Sequence, residues 1–85
     1  MKDITSWKVY DYTTNSGSTG RVLVGYSVAT GPIIEEVTSS SEGFINGYKL
    51  YGGHNHYFEN AEQVWMEYRA KHDINSIKDV SAEFE

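Results

Sequence analysis

The sequence predicts an α+β fold: one small domain, residues 1–85, in which a mostly antiparallel sheet of about four strands packs with one or two helices in the order β-β-α-β-α-β. Three observations lead there. Two stretches in the first third alternate their side chains with the period of a strand, and one stretch in the last third repeats apolar residues with the period of a helix. The third is length: 85 residues leave room for a single modest core, and without cysteine that core must hold by packing rather than by disulfides or thiolate-bound metal.

The first strand is expected over 6–12, where Trp7, Val9 and Asp11 alternate with Lys8, Tyr10 and Tyr12. The second is expected over 21–29, with Val22, Val24, Tyr26 and Val28 on one face. Between them, 13–20 is rich in Thr, Ser, Asn and Gly, which suits the connection of a hairpin. Gly17 and Gly20 do not make it a phosphate-cradling loop, because no Lys-Ser/Thr pair follows them.

A first helix is expected over 32–46. Pro32 suits its first position, Glu35 and Glu36 suit the positive end of its dipole, and Asn46-Gly47 supplies a stop. Ile33, Ile34, Val37, Phe44 and Ile45 fall on one broad face of its wheel. The competing reading is a strand over 33–38 followed by a loop, because Thr38-Ser39-Ser40-Ser41 and Gly43 are poor helix formers.

A tyrosine-rich extended run over 48–58 comes next, with Tyr48, Leu50 and Phe58 on one parity and Lys49, Tyr51 and Tyr57 on the other, interrupted at Gly52-Gly53. It leads into the clearest helix, 60–72. Asn60 and Gln63 have capping-box spacing, and Ala61, Val64, Trp65, Tyr68 and His72 share a face. A turn over 73–76 and a closing strand over 79–85 complete the order, with strict alternation favouring the strand although Ile77, Val80 and Phe84 at i, i+3, i+7 also fit a short helix. The core predicted by these faces is Val22, Val24, Val28, Leu50, Val64, Trp65 and Phe84.

Twelve acidic against seven basic residues give a net charge of −5, which repels nucleic-acid phosphates and argues against direct binding to DNA or RNA. No segment approaches the ~20 apolar residues of a membrane span, and no targeting run leads the chain. The cytoplasm is the expected compartment. His54, His56 and His72 are the candidates for a metal-dependent enzyme, with Glu59 or Glu62 able to complete a ligand set, although His54-Asn55-His56 has the letters of a nuclease motif without its spacing. No paired carboxylates, nucleophile-base pattern or nucleotide fingerprint accompanies them, so neither a cofactor nor an enzyme is expected.

Seven tyrosines and two tryptophans are many for so short a chain, and such side chains dominate binding hot spots. Tyr51 and Tyr57 are the expected anchors of a partner-binding surface, with Tyr10 and Tyr12 on a sheet face beside them. Glu62 and Glu67 are the expected nearby charges, steering the protein toward a basic partner, and Glu35, Glu36 and Glu42 on the first helix are the next candidates.

The run Asn46-Gly47-Tyr48-Lys49-Leu50-Tyr51-Gly52-Gly53 resembles short bacterial and phage domains of unknown function. In size, acidity and absence of cysteine the chain is similar in type to phage-encoded inhibitors of bacterial defence, of the anti-restriction and anti-CRISPR kind, and to bacterial immunity proteins that neutralise a basic toxin. That similarity implies a non-enzymatic inhibitor of a protein partner, acting in the host cytoplasm.

Overall fold

A computed structural model describes residues 2–4, 6–27, 29–51 and 59–84. These residues form eight strands, one α-helix and one 3-10 helix: β1 (Lys2–Ile4), β2 (Ser6–Thr14), β3 (Thr19–Ser27), β4 (Gly31–Glu36), β5 (Ser40–Ser41), β6 (Phe44–Ile45), β7 (Tyr48–Leu50), α1 (Glu59–Lys71), β8 (Ile74–Asp79) and a 3-10 helix over Ser81–Phe84. The class is α+β and the pairing mostly antiparallel. There are more strands than the sequence led us to expect, and one α-helix instead of two.

The strands make two sheets. The central one has the order β4-β3-β2-β8, all antiparallel, and the smaller has the order β1-β7-β6-β5, with β1 and β7 parallel. The central sheet is covered on both faces. Trp7, Val9, Leu23 and Ile33 point toward the small sheet and meet Ile4, Ile45 and Tyr48, while Val80 and Phe84 close the end of that core. Tyr10, Val22 and Val24 point the other way and meet Ala61 and Trp65 of α1 together with Ile74. The strand parities expected for 6–12 and for Val22, Val24 and Tyr26 are therefore present, the second strand ends at Ser27, and the hairpin is tighter, with Thr13 opposite Thr19.

The helix expected over 32–46 does not form; the competing strand does. Ile33 and Ile34 are adjacent in sequence and pack into the two different cores, as consecutive residues of a doubly covered strand must. A run of adjacent apolar residues gives the same broad arc on a helical wheel, which is why the wheel misleads. Pro32 sits on β4, an edge strand, where its missing amide costs no ladder bond. Asn46-Gly47 stops no helix. It is the two-residue turn between Ile45 and Tyr48, with φ of 51° and 84°, the signature of an Asn-Gly hairpin.

The Asn46 side chain then fastens this hairpin to the strap leaving β4. Its Oδ1 accepts from the amides of Thr38 (2.8 Å) and Ser39 (3.1 Å), and its Nδ2 donates to the Glu36 carbonyl (2.8 Å). Tyr48 Oη donates to the Glu35 carboxylate, which holds the tyrosine hydroxyl above its ordinary pKa. Glu35, Glu36 and Glu42 are thus strand and turn residues rather than a helical row.

Helix α1 matches the expected 60–72 within one residue. The side chain of Asn60, its expected cap, lies outside the described residues. The inward face is Ala61, Trp65 and Tyr68; Val64, expected in the core, is 40% exposed, because the buried face centres on Ala61 and Trp65 and leaves Val64 at its margin. The strand expected over 79–85 does not form: Ser81–Phe84 are a 3-10 helix, and the closing strand β8 lies earlier and ends at Asp79. There the chain leaves β2, the Ser81 hydroxyl accepts from the Val9 amide (2.9 Å), and Asp79 Oδ1 accepts from the Ser81 amide (2.9 Å), capping the 3-10 helix. Ile74 to Ser76, expected in a turn, begin β8. Of the remaining expectations, Val28, Gly52-Gly53, His54, His56, Tyr57 and Phe58 lie outside the described residues.

Candidate protein-binding face

The small sheet turns one row of side chains inward and the other out. Its register places Ile4 beside Leu50 and Tyr48 beside Ile45 on the inner side, where Ile4 and Ile45 are fully buried. Alternation then sends Asp3, Lys49 and Phe44, which lie opposite one another across the three strands, to the outer side. Tyr51, two residues after Lys49, belongs to the same outer row and is 39% exposed.

Tyr51 is exposed but not loose. Its amide donates to the Ile4 carbonyl (2.8 Å), and its own carbonyl accepts from the Trp7 indole (3.3 Å), whose ring is in the core. The Lys49 ammonium lies 4.7 Å from the Tyr51 ring centroid, a cation-π distance. The Tyr51 side chain first, and the nearby Asp3 charge, hold Lys49 above its usual pKa. Beside Phe44 is a shallow open depression of about 310 Å³ lined by Ser39, Ser40, Ser41, Phe44, Asn46 and Gly47. Rigid aromatic area next to small hydroxyl and amide groups suits protein recognition, the first giving contact surface at little entropic cost and the second adaptable hydrogen bonds.

Compared with known proteins, the chain matches no family model, no curated protein and no solved structure. The reading of the site therefore rests on its geometry.

The other expected site residues are dispersed. Tyr10 is 8% exposed and stacked flat on Trp65, with centroids 5.1 Å apart and planes 2° from parallel. Tyr12 packs half-buried against the same core. Neither belongs to the outer face of the small sheet, because α1 covers the side of β2 that carries them. Glu62 and Glu67 are exposed on α1, across the central sheet from Tyr51, and their five-residue spacing sets them about 140° apart around the helix. Glu62 lines an open groove of about 510 Å³ between α1 and β8, with Lys8, Tyr10, Trp65, Met66, Arg69 and Ile77. His72 is exposed and packs its ring on Tyr68, with centroids 4.2 Å apart. Among the described residues no three His, Asp or Glu side chains are grouped to hold a metal ion, and no helix is long and apolar enough to cross a membrane.

The sequence reading named Tyr51 as an anchor and did not name Asp3, Phe44 and Lys49, which lie beside it on the same outer face. The signal was available in Asn46-Gly47. Taken as a hairpin turn, that pair makes Phe44 and Lys49 equivalent positions on two adjoining strands.

Proposed function

We propose that this is a non-enzymatic binding protein that inhibits a protein partner by covering a basic surface on it. A bacterial nucleic-acid-handling or defence protein is the partner class that fits, with the inhibitor encoded by a phage. The observation that carries the reading is Tyr51: an exposed aromatic side chain fixed by two backbone hydrogen bonds and a cation-π contact on the outer face of the small sheet. A pre-ordered anchor loses little entropy on binding, which is how aromatic hot spots acquire their weight. The net charge of −5 supports the basic character of the partner, since complementary charge raises association rates.

The test is capture of partners from a bacterial lysate with identification by mass spectrometry, followed by affinity measurement on the purified pair. Tyr51→Ala and Phe44→Ala are each expected to weaken binding by more than about 1 kcal/mol, chiefly through faster dissociation. Tyr57→Ala is expected to do the same if the anchor continues beyond Tyr51. Folded variants that all bind like the parent would rule out this face.

A further inference from the structure

Among the described residues β8 is the outer strand of the central sheet, and Asn75 through Asp79 are five consecutive exposed positions. An edge of this length displays backbone donors and acceptors to any strand that can lie beside it. The register with β2 slips between Thr13 and Thr14, leaving Asn75 as the extra residue of a bulge. Ser76 then lies opposite Thr13, Ile77 opposite Tyr12 and Ile74 opposite Thr14. The bulge thereby sends Ile74 and Ile77, three residues apart, to the same face, the one carrying α1. Beside them Met66 is 60% exposed, and Ile77 is itself 37% exposed. These two line the groove between α1 and β8, with Glu62 and Arg69 in the same lining one turn to either side of Met66.

Asp73-Ile74-Asn75-Ser76-Ile77-Lys78 is complementary to itself when read in the opposite direction. Asp73 falls opposite Lys78, Ile74 opposite Ile77, and Asn75 opposite Ser76. Opposite charges, matched apolar side chains and a hydrogen-bonding pair all coincide in one antiparallel register: the Ile74-Ile77 pair within the strand, Asn75 and Ser76 meeting at the bulge, and Asp73 facing Lys78 at its end. We propose that the occupant of the β8 edge is a second copy of this chain, paired strand to strand in that register. The symmetry follows from the pairing. Two identical antiparallel edge strands are related by a two-fold axis normal to the sheet, so both helices lie on one side of a continuous sheet and each Met66-Ile77 groove opens toward the other. Asp73 itself sits in the turn with φ of 54°, outside the ladder, and contributes its charge at the end of the paired segment.

Sedimentation equilibrium over a concentration series tests this with three variants: Asp73→Lys, Lys78→Glu and the two combined. Because the two-fold repeats each contact, a single reversal sets like charges together at both ends and should raise the dimer dissociation constant about tenfold or more. The double variant restores opposite charges in the same register and should return the constant to near that of the parent. Circular dichroism melts of the three proteins separate this from damage to the monomer fold, since Lys78 also lies opposite Asp11 of β2. Hydrogen exchange of Asn75 to Lys78 should slow as the dimer fills. A parent protein monomeric throughout the series overturns the proposal, as does a double variant no better than the single ones. Protection of β8 that arises only when an unrelated extended peptide is added also overturns it, in favour of a foreign strand.

Discussion

Tyr10 carries its hydroxyl into the seam between helix and sheet, where burial first, and the Asp79 charge second, push its pKa up to about 12 from 10.0. The neutral phenol is thus the form the fold accepts. Below pH 10 it is neutral in both folded and unfolded chains, and stability is unaffected. Above that the unfolded chain ionises while the folded one resists, so stability falls until the pH passes the folded value near 12. The loss at the end of that window is about 2 to 3 kcal/mol. Denaturant melts at stepped alkaline pH should show this decline in the parent and a shallower one in Tyr10→Phe. A residual slope is expected because burial also raises Tyr68, and the bond to Glu35 raises Tyr48. At this scale the sequence was legible where a side chain's direction follows from parity, as for Val22, Val24 and Trp65. It was not legible where exposure depends on what covers a face: Tyr10 and Tyr12 have the parity expected of them, and only the position of α1 decides that this side is interior.

Among the elements, the hairpin at Asn46-Gly47 has the most consequence for the candidate site, since it sets Phe44 beside Lys49. Asn46→Ala removes the acceptor for two strap amides and the donor to the Glu36 carbonyl, and it places a residue with a Cβ but no compensating polar group at φ of 51°. A loss of about 2 kcal/mol is expected, read as a lower denaturant midpoint at unchanged slope. Asn46→Gly keeps the backbone comfortable and loses the same hydrogen bonds, so its shortfall measures the side chain alone. The long helix was legible because its apolar repeat runs over three turns. Of the strands over 31–50, β4 was legible only as the competitor to a helix and β7 only as the start of the extended run over 48–58, while β5 and β6 are two residues long, too short for any period to show. β4 has apolar side chains on both faces, which erases the alternation that marks a strand. Only turn chemistry could have found β5 and β6.

For the molecule as a whole, the central sheet is shared by two separate cores, and Gly25 leaves room for Ile4 of the small sheet against it. A Cβ there would stand 3.0 Å from Ile4 Cγ2 and 3.0 Å from the Ser6 carbonyl oxygen. Charge ties the far end of the same face together. Arg21 is bonded to Asp11 through Nε (2.5 Å) and Nη2 (3.0 Å), holding that carboxyl below its ordinary pKa, and its guanidinium carbon lies 5.6 Å from the Phe84 ring centroid. The two layers should nonetheless differ in how they open. Native-state hydrogen exchange is expected to place the Tyr51 amide, whose acceptor is Ile4 on a three-residue strand, at a lower opening free energy than the amides of Val22 to Val24 in the middle of the central sheet. Equal values would mean that the layers open as one unit.

The parallel pairing of β1 with β7 joins the start of the chain to a segment more than half the chain later. Every other pairing in either sheet closes a shorter span, except that of β2 with β8. Loop closure of this kind is slow and comes late, after local hairpins have formed. During synthesis, then, β1 emerges well before β7 and must wait for it, and it is among the last pieces to dock. The same history makes the outer face of the small sheet sensitive to what precedes Lys2. A bulky fusion at the amino terminus would compete with the docking of β1 and free the backbone that holds Tyr51, blunting the anchor while leaving the helix and central sheet intact. Bait for partner capture is therefore better immobilised from the carboxyl-terminal side.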